Sequence, residues 1–323
     1  MQARHFFKRC IGALVLFVPL VLHAQAWPNK PIKWIIPYPP GGITDSATRM
    51  VVQKVQEQTG WTIVIENKPG ANSILGADLA ARSPADGYTF LTVIGAHAAN
   101  ATLYAGRLPY DVVKSFAPVS LVGIAPLVMT VTNNLPAKDV KELIAYAKAN
   151  PGQVSFASAG VGGTAHLAAE LFKNLTKTDV VHVPYKGSSG ATNDLASGRV
   201  SAMFTSLPSL QGVVDKGYVR ILAATAPSKS PATRALPLMS ATVPGFEYSS
   251  WYAMYVPRQT PSAVVSRMNT LLQQTLKDSE LANKIEQHGM ELMPSSPDEV
   301  ERWVKRDEEK WRAVIQKAGI SID

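Results

Sequence analysis

Cysteine is almost missing from this chain. Its 323 residues include one, Cys10, which falls within the first 26. The rest of the chain has no thiol, which excludes disulfides, cysteine nucleophiles and thiolate metal sites there. A block of lysine and arginine is also absent, so no nucleic-acid partner is expected. No Gly-x-Ser-x-Gly elbow occurs, which removes the usual setting of a hydrolytic serine. The glycine run Gly160-Val161-Gly162-Gly163 lacks the third glycine of a dinucleotide fingerprint, because Ala165 stands there, and no acidic residue follows at the expected strand end.

What remains describes a well-cored globular protein with room for about two domains, 46% hydrophobic and 17% charged. The first 26 residues stand apart. Arg4, Lys8 and Arg9 form a basic end, Ile11 to Leu22 is an apolar run, and Ala24-Gln25-Ala26 offers small residues for cleavage. This pattern predicts a secretory signal peptide removed after Ala26. The run is shorter than the roughly 20 apolar residues of a membrane span. Without those three cations the 32 basic residues fall to 29 against 24 acidic, a net charge of +5 that mildly favours anionic ligands.

The chain is organised around the stretch from Ile32 to Thr59. Ile32, Trp34 and Ile36 alternate as a half-buried strand, which breaks on Pro37-Tyr38-Pro39-Pro40-Gly41-Gly42 and restarts as a helix at Thr44-Asp45, with Gly60 as its stop. A helix start carries unpaired N–H groups and partial positive charge, and glycine lets an anion approach that backbone. The bland alternative is that Gly41-Gly42 makes the turn and Thr44 or Asp45 caps the helix. The design repeats: strand Trp61 to Glu66 leads through Asn67-Lys68-Pro69-Gly70 to a helix opening at Asn72-Ser73, and strand Tyr88 to Ile94 ends on a loop at Gly95-Ala96-His97.

Phe116 to Val131 is apolar and β-rich, and the passage into a second domain is expected there. In that domain strand Val154 to Ala157 runs into Ser158-Ala159-Gly160-Val161-Gly162-Gly163, and Thr164-Ala165-His166 opens a helix. Strand Val180 to Tyr185 leads through Lys186 and Gly187 to a helix containing Asp194. Strand Ala202 to Thr205 follows, and the proline- and serine-rich Pro227 to Pro244 is expected to be an exposed connection. Phe246 to Val256 returns the chain to the first domain, where Trp251 fills the core or lines the cleft. Ser296-Pro297-Asp298-Glu299 predicts a capping box for the last helix. Such alternation argues for α/β sheets, with ligands outside the carboxyl ends of the strands. Two anion-ready helix starts in two halves suit a ligand held between domains.

Several of these segments, taken in order, are similar to the periplasmic receptors of tripartite tricarboxylate transporters, also called Bug receptors. They are Pro37 to Asp45, Ala85-Asp86-Gly87-Tyr88-Thr89, Leu108-Pro109-Tyr110-Asp111, Phe116-Ala117-Pro118-Val119, Ser158 to His166, and His182-Val183-Pro184-Tyr185-Lys186-Gly187. The resemblance implies an α/β, two-lobed periplasmic binding protein (type II-like) with one sheet per lobe and two interlobe crossings. Residues 27–121 and 251–323 would form lobe 1, and residues 122–250 lobe 2. It implies a ligand carboxylate held by Tyr38, Gly41, Gly42, Thr44 and Asp45 from the first lobe. The second lobe would supply Ser158, Gly162, Thr164 and His166, with Lys186, Gly187 and Asp194. Asn72, Ser73, Ala96, His97 and Thr205, all at strand ends, complete the candidate site. Asn72-Ser73 departs from the Gly-Gly that relatives commonly carry, adding two side chains to a pocket wall.

The expected function is capture of a small carboxylate-bearing solute and its delivery to the membrane subunits of the transporter, by a monomer with no cofactor, no metal and no covalent chemistry. Two alternatives stay open at this point. One is a receptor that presents its ligand to a sensor, and the other is a hydrolase using Ser158, His166 and Asp194.

Overall fold

A computed structural model of the chain describes residues 27–320 and Ile322. The expected signal peptide and its cleavage after Ala26 lie outside the described residues. The first unit runs β1 (Ile32–Ile36), α1 (Ile43–Thr59), β2 (Ile63–Asn67), α2 (Ile74–Ala81), β3 (Thr89–Ile94), α3 (Ala96–Leu103) and β4 (Phe116–Pro126). The second unit comprises β5 (Val128–Thr132), α4 (Val140–Ala149), β6 (Val154–Ser158), α5 (Thr164–Thr176), β7 (Val180–Pro184), α6 (Ser188–Ala196), β8 (Ala202–Thr205), α7 (Gln211–Val214), β9 (Val219–Ala224) and α8 (Met239–Thr242). The chain then returns through β10 (Ser249–Pro257), α9 (Ser262–Thr275), α10 (Ser279–Gln287), β11 (Glu291–Leu292) and α11 (Pro297–Ala318).

Two mixed sheets result, one per lobe. The first has strand order β11-β4-β10-β3-β1-β2 and the second β7-β6-β8-β5-β9. β1, β2 and β3 are parallel, as are β6, β7 and β8, so each lobe ends its parallel strands on the same side and starts its helices there. The chain crosses between sheets twice, from β4 to β5 and from β9 to β10. β4 and β10 pair from Phe116↔Pro257 out to Pro126↔Ser249, so the first sheet reaches further on both strands than residues 121 and 251. Pro118 and Pro126 sit at the two ends of this strand rather than breaking it.

Helices cover both faces of the first sheet, and this changes the character of β1. Ile32, Trp34, Ile35 and Ile36 are all fully buried, where the alternation had suggested one wet face. Trp34 stacks on Phe90 in that core, and Phe156, Phe204 and Phe246 build the second. Trp251 is also core, its Nε1 donating to Asp307 at 2.6 Å. Ser296 and Glu299 form the expected capping box on α11. The far end of that helix leaves the first lobe: Trp311, Val314 and Ile315 join the second lobe's core, with Trp311 edge-on to Tyr248. The connection 227–244 is less exposed than its composition suggests, because Ser230 is buried and donates to the Glu286 carbonyl. Among the described residues no helix is long and apolar enough to cross a membrane.

Candidate functional site

The parallel strands of both lobes end on one cleft of about 1190 Å³. Its first wall is the loop Pro37 to Thr44, the loop Pro69 to Ser73, and Ile94, Ala96 and Tyr104. Its second is the glycine loop from Ala159 to Ala165, the stretch Lys186 to Gly190, and Thr205 with Ser206. Four helices, α1, α2, α5 and α6, begin on this lining at Gly42, Ser73, Gly163 and Gly187, and none has a side-chain cap. Away from the cleft, α4, α10 and α11 are capped by Asp139, Asp278 and Ser296, while α9 starts at Pro261 without a side-chain cap. First-turn amides have no acceptor within their own helix, so four sets of them, with four positive dipole ends, converge on the cleft. Among the described residues the one lysine or arginine on the lining is Lys186, and no aspartate, glutamate or histidine is on it. The described part of the pocket accepts negative charge and offers none.

The loop Pro37 to Gly42 is held from behind. Asp45, 3% exposed, accepts the Gly41 N–H at 3.0 Å, Arg49 Nε at 3.0 Å and Asn67 Nδ2 at 2.9 Å. Gly41 meets that carboxylate with φ +84, which other residues reach only with strain. Burial pushes the Asp45 carboxyl up, but the hydrogen bonds from Arg49, Gly41 and Asn67 and the Arg49 charge outweigh it and leave the carboxyl below its usual range. Asn67 also donates to the Tyr38 carbonyl at 3.1 Å. Tyr38 has its hydroxyl against Ser73 and accepts the Ile94 N–H at 3.3 Å. Burial raises this phenol to about 12, so it stays a donor.

The next loop carries backbone strain. Ala71, Asn72 and Ser73 have φ of 45, 51 and 74 in succession. Left-handed conformations cost non-glycine residues roughly 1–2 kcal/mol each. Asn72 and Ser73 thus hold side chains where Gly-Gly would be relaxed.

In the second lobe the glycine loop rests on two stacked histidines. The rings of His166 and His182 lie 3.7 Å apart and near parallel. Gly162 N–H donates to His166 Nδ1 at 3.0 Å, which puts the imidazole proton on Nε2, facing Glu170 at 3.7 Å. Ser158 donates to the Gly160 carbonyl and lies 2.6 Å from His182 Nε2. Burial, followed by the neighbouring His166, lowers His182 to about 4.

Of the residues singled out in the sequence, Tyr38, Gly41, Gly42, Thr44, Asn72, Ser73, Ala96, Thr164, Lys186, Gly187 and Thr205 come together on the cleft lining. Six do not. Asp45, Ser158, Gly162 and His166 lie immediately behind the two loops as their supports. Asp194 is turned to Tyr185, whose hydroxyl donates at 2.7 Å, and to Arg199 at 2.9 Å. His97 is in the first lobe's core, fully buried and stacked 5.5 Å from Tyr110, because α3 starts directly after β3 and leaves no loop there. Ser158, His166 and Asp194 each take other partners, so the three do not assemble as a triad. The reading from sequence left out Ser188, Ser189, Asn193, Ser206 and Ser209, all on the lining. The strand-end rule that selected Thr205 and Gly187 extends to these hydroxyls when followed a few residues further.

The family model described as tripartite tricarboxylate transporter family receptor (TctC) matches residues 47–320. This chain belongs to that family of receptors. Among TctC relatives, protein BugT of Bordetella pertussis (strain Tohama I) is 32% identical over 305 residues, covering 93% of this chain and 92% of BugT. A solved structure of R. palustris Rpa4515 with adipate is 34% identical, has a TM-score of 0.84, and is matched over 91% of this chain and 99% of its own. The TctC-type fold also superposes on MatC from Rhodopseudomonas palustris with bound malate, at 26% identity and a TM-score of 0.80, over 90% of this chain and 100% of MatC.

Proposed function

We propose that this protein is a periplasmic solute-binding receptor that captures a small dicarboxylate between its lobes and delivers it to the membrane subunits of a tripartite tricarboxylate transporter. The observation that carries this reading is the convergence of four uncapped helix starts on a cleft whose lining includes no acidic side chain among the described residues. Burying a carboxylate is costly unless hydrogen bonds replace its water, and backbone amides with Tyr38, Thr44, Thr164 and Lys186 supply such donors. The two relatives with adipate and malate hold linear dicarboxylates, and a cleft with anion-accepting helix starts on both walls suits an acid with a carboxylate at each end.

Binding would favour closure of the lobes, because contacts to both walls form only in the closed arrangement. No covalent step is involved. Export through residues 1–26 would place the mature chain in the periplasm. A thermal-shift screen of the mature protein, unfolded and refolded to strip bound solute, against small carboxylates tests the solute class. A ligand at 100 times its dissociation constant adds about 2.7 kcal/mol of stability. Stabilisation by dicarboxylates supports the reading, whereas stabilisation by neutral solutes alone contradicts it. Capture of the receptor by its membrane partner, loaded and unloaded, separates a transporter from a sensor.

A further inference from the structure

We propose that Asn72 is a specificity-determining residue that closes one end of the cleft and limits the length of the acid retained there; this rests on the dicarboxylate reading above. Asn72 Nδ2 donates to Asn100 Oδ1 at 2.7 Å within the first lobe and to the Gly162 carbonyl of the second at 3.3 Å. Asn100, fully buried, returns a bond to the Asn72 carbonyl at 2.9 Å, so the amide is held in one orientation. At this end the walls touch. A Cβ added to Gly162 would come within 2.3 Å of Leu103 Cδ1, so the glycine loop packs there with no room to spare.

Two features mark this contact as more than packing. Asn72 carries its side chain at φ +51, a left-handed state that asparagine adopts more readily than most residues and glycine adopts freely, so the position accepts glycine but holds an amide. Beside it Ser73, 3% exposed, has its hydroxyl against that of Tyr38. With the Asn72 amide this makes the wall polar, and the group of the solute that ends against it is a carboxylate or hydroxyl. With the Asn72 amide occupying the end of the cleft, a shorter diacid fits beside the interlobe bond and a longer one must displace it.

The test compares wild type with Asn72→Gly, using succinate and adipate as probes in calorimetric titration. Glycine suits φ +51, so the variant is expected to fold at least as well as wild type, which thermal denaturation checks. The preference for succinate over adipate should fall by roughly fivefold or more in the variant, the scale of one hydrogen bond. An unchanged ratio, with both proteins binding, overturns the inference and leaves the receptor reading intact. If neither protein binds either acid, the dicarboxylate reading fails instead. The solute-free proteins then decide the matter by small-angle scattering: a larger radius of gyration for Asn72→Gly supports the interlobe tie, and an equal radius overturns it.

Discussion

Replacing Asp45 by alanine should separate support of the cleft from contact with the solute. The carboxylate is not itself on the lining but fixes the loop Pro37 to Gly42 through Gly41 and, by way of Asn67, the Tyr38 carbonyl. Its three partners are not equal. Arg49 is 47% exposed, so that ion pair contributes at most about 1 kcal/mol. Gly41 is exposed, and water can replace much of its lost acceptor. Asn67 is half-buried, and a hydrogen bond to a charged group is worth roughly 1.5–3 kcal/mol. Together these give a loss of about 2 kcal/mol, or about 3 °C in Tm for a protein of this size. Affinity for dicarboxylates should also fall, because the amides of Gly42 to Thr44 lose their fixed position. Asp45→Asn keeps one acceptor oxygen and should lie between.

The pH dependence has a definite sign. The folded carboxyl titrates below its unfolded value, so its contribution is present above the usual carboxylate range and is lost as pH falls through the folded value. Urea denaturation with calorimetric titration at pH 7 measures both effects. Stability within about 0.5 kcal/mol of wild type together with wild-type affinity would refute the supporting role.

Lys186→Gln should weaken dicarboxylate binding several-fold and flatten its salt dependence, because this exposed cation acts through a screened field; titrations at low and high salt check it. Stability should fall on acidification between about pH 6.5 and 4. His97 is buried neutral with its pKa lowered to about 4, chiefly by burial, so the unfolded chain binds the proton first; the gap is worth on the order of 3 kcal/mol. His182 acts in the same direction. Urea midpoints at pH 7 and 4.5 should differ less for His97→Gln than for wild type, and an equal drop would remove His97 from the account. Ser158→Ala should leave no ester-hydrolysing activity to lose and should disturb the Gly160 turn, read as reduced dicarboxylate affinity; turnover by wild type that the variant lacks would restore the hydrolase alternative.

The strand, loop and helix units were legible because each carries local signals. Alternating apolar residues gave β1, Gly60 gave the end of α1, and Ser296 with Glu299 gave the start of α11. α3 was not legible as a helix: Gly95 offers no side-chain cap and the alanine-rich segment has little amphipathic contrast, so Ala96 and His97 read as loop. The support roles of Asp45 and Ser158 were hidden for another reason. Asp45 faces a cleft loop in sequence, but its partner Asn67 arrives through β1–β2 pairing, where Ile36 stands opposite Asn67. Ser158 meets His182 only because β6 and β7 pair in the register Phe156↔His182. Such contacts are set by sheet register, which local pattern does not encode. The reach of α11 into the second lobe is likewise a tertiary outcome, since the apolar stripe through Trp311 and Val314 does not name the surface it covers.

The most direct test of the cleft as an anion receptor is calorimetric titration of the refolded mature protein with succinate and, separately, with succinamide, its uncharged diamide. Helix starts and Lys186 gain from negative charge, so succinate should bind one-to-one and succinamide at least about a hundredfold more weakly, since charge-assisted bonds are about twice as strong as neutral ones. Equal affinities, or binding of the diamide alone, would contradict recognition of a carboxylate by this cleft.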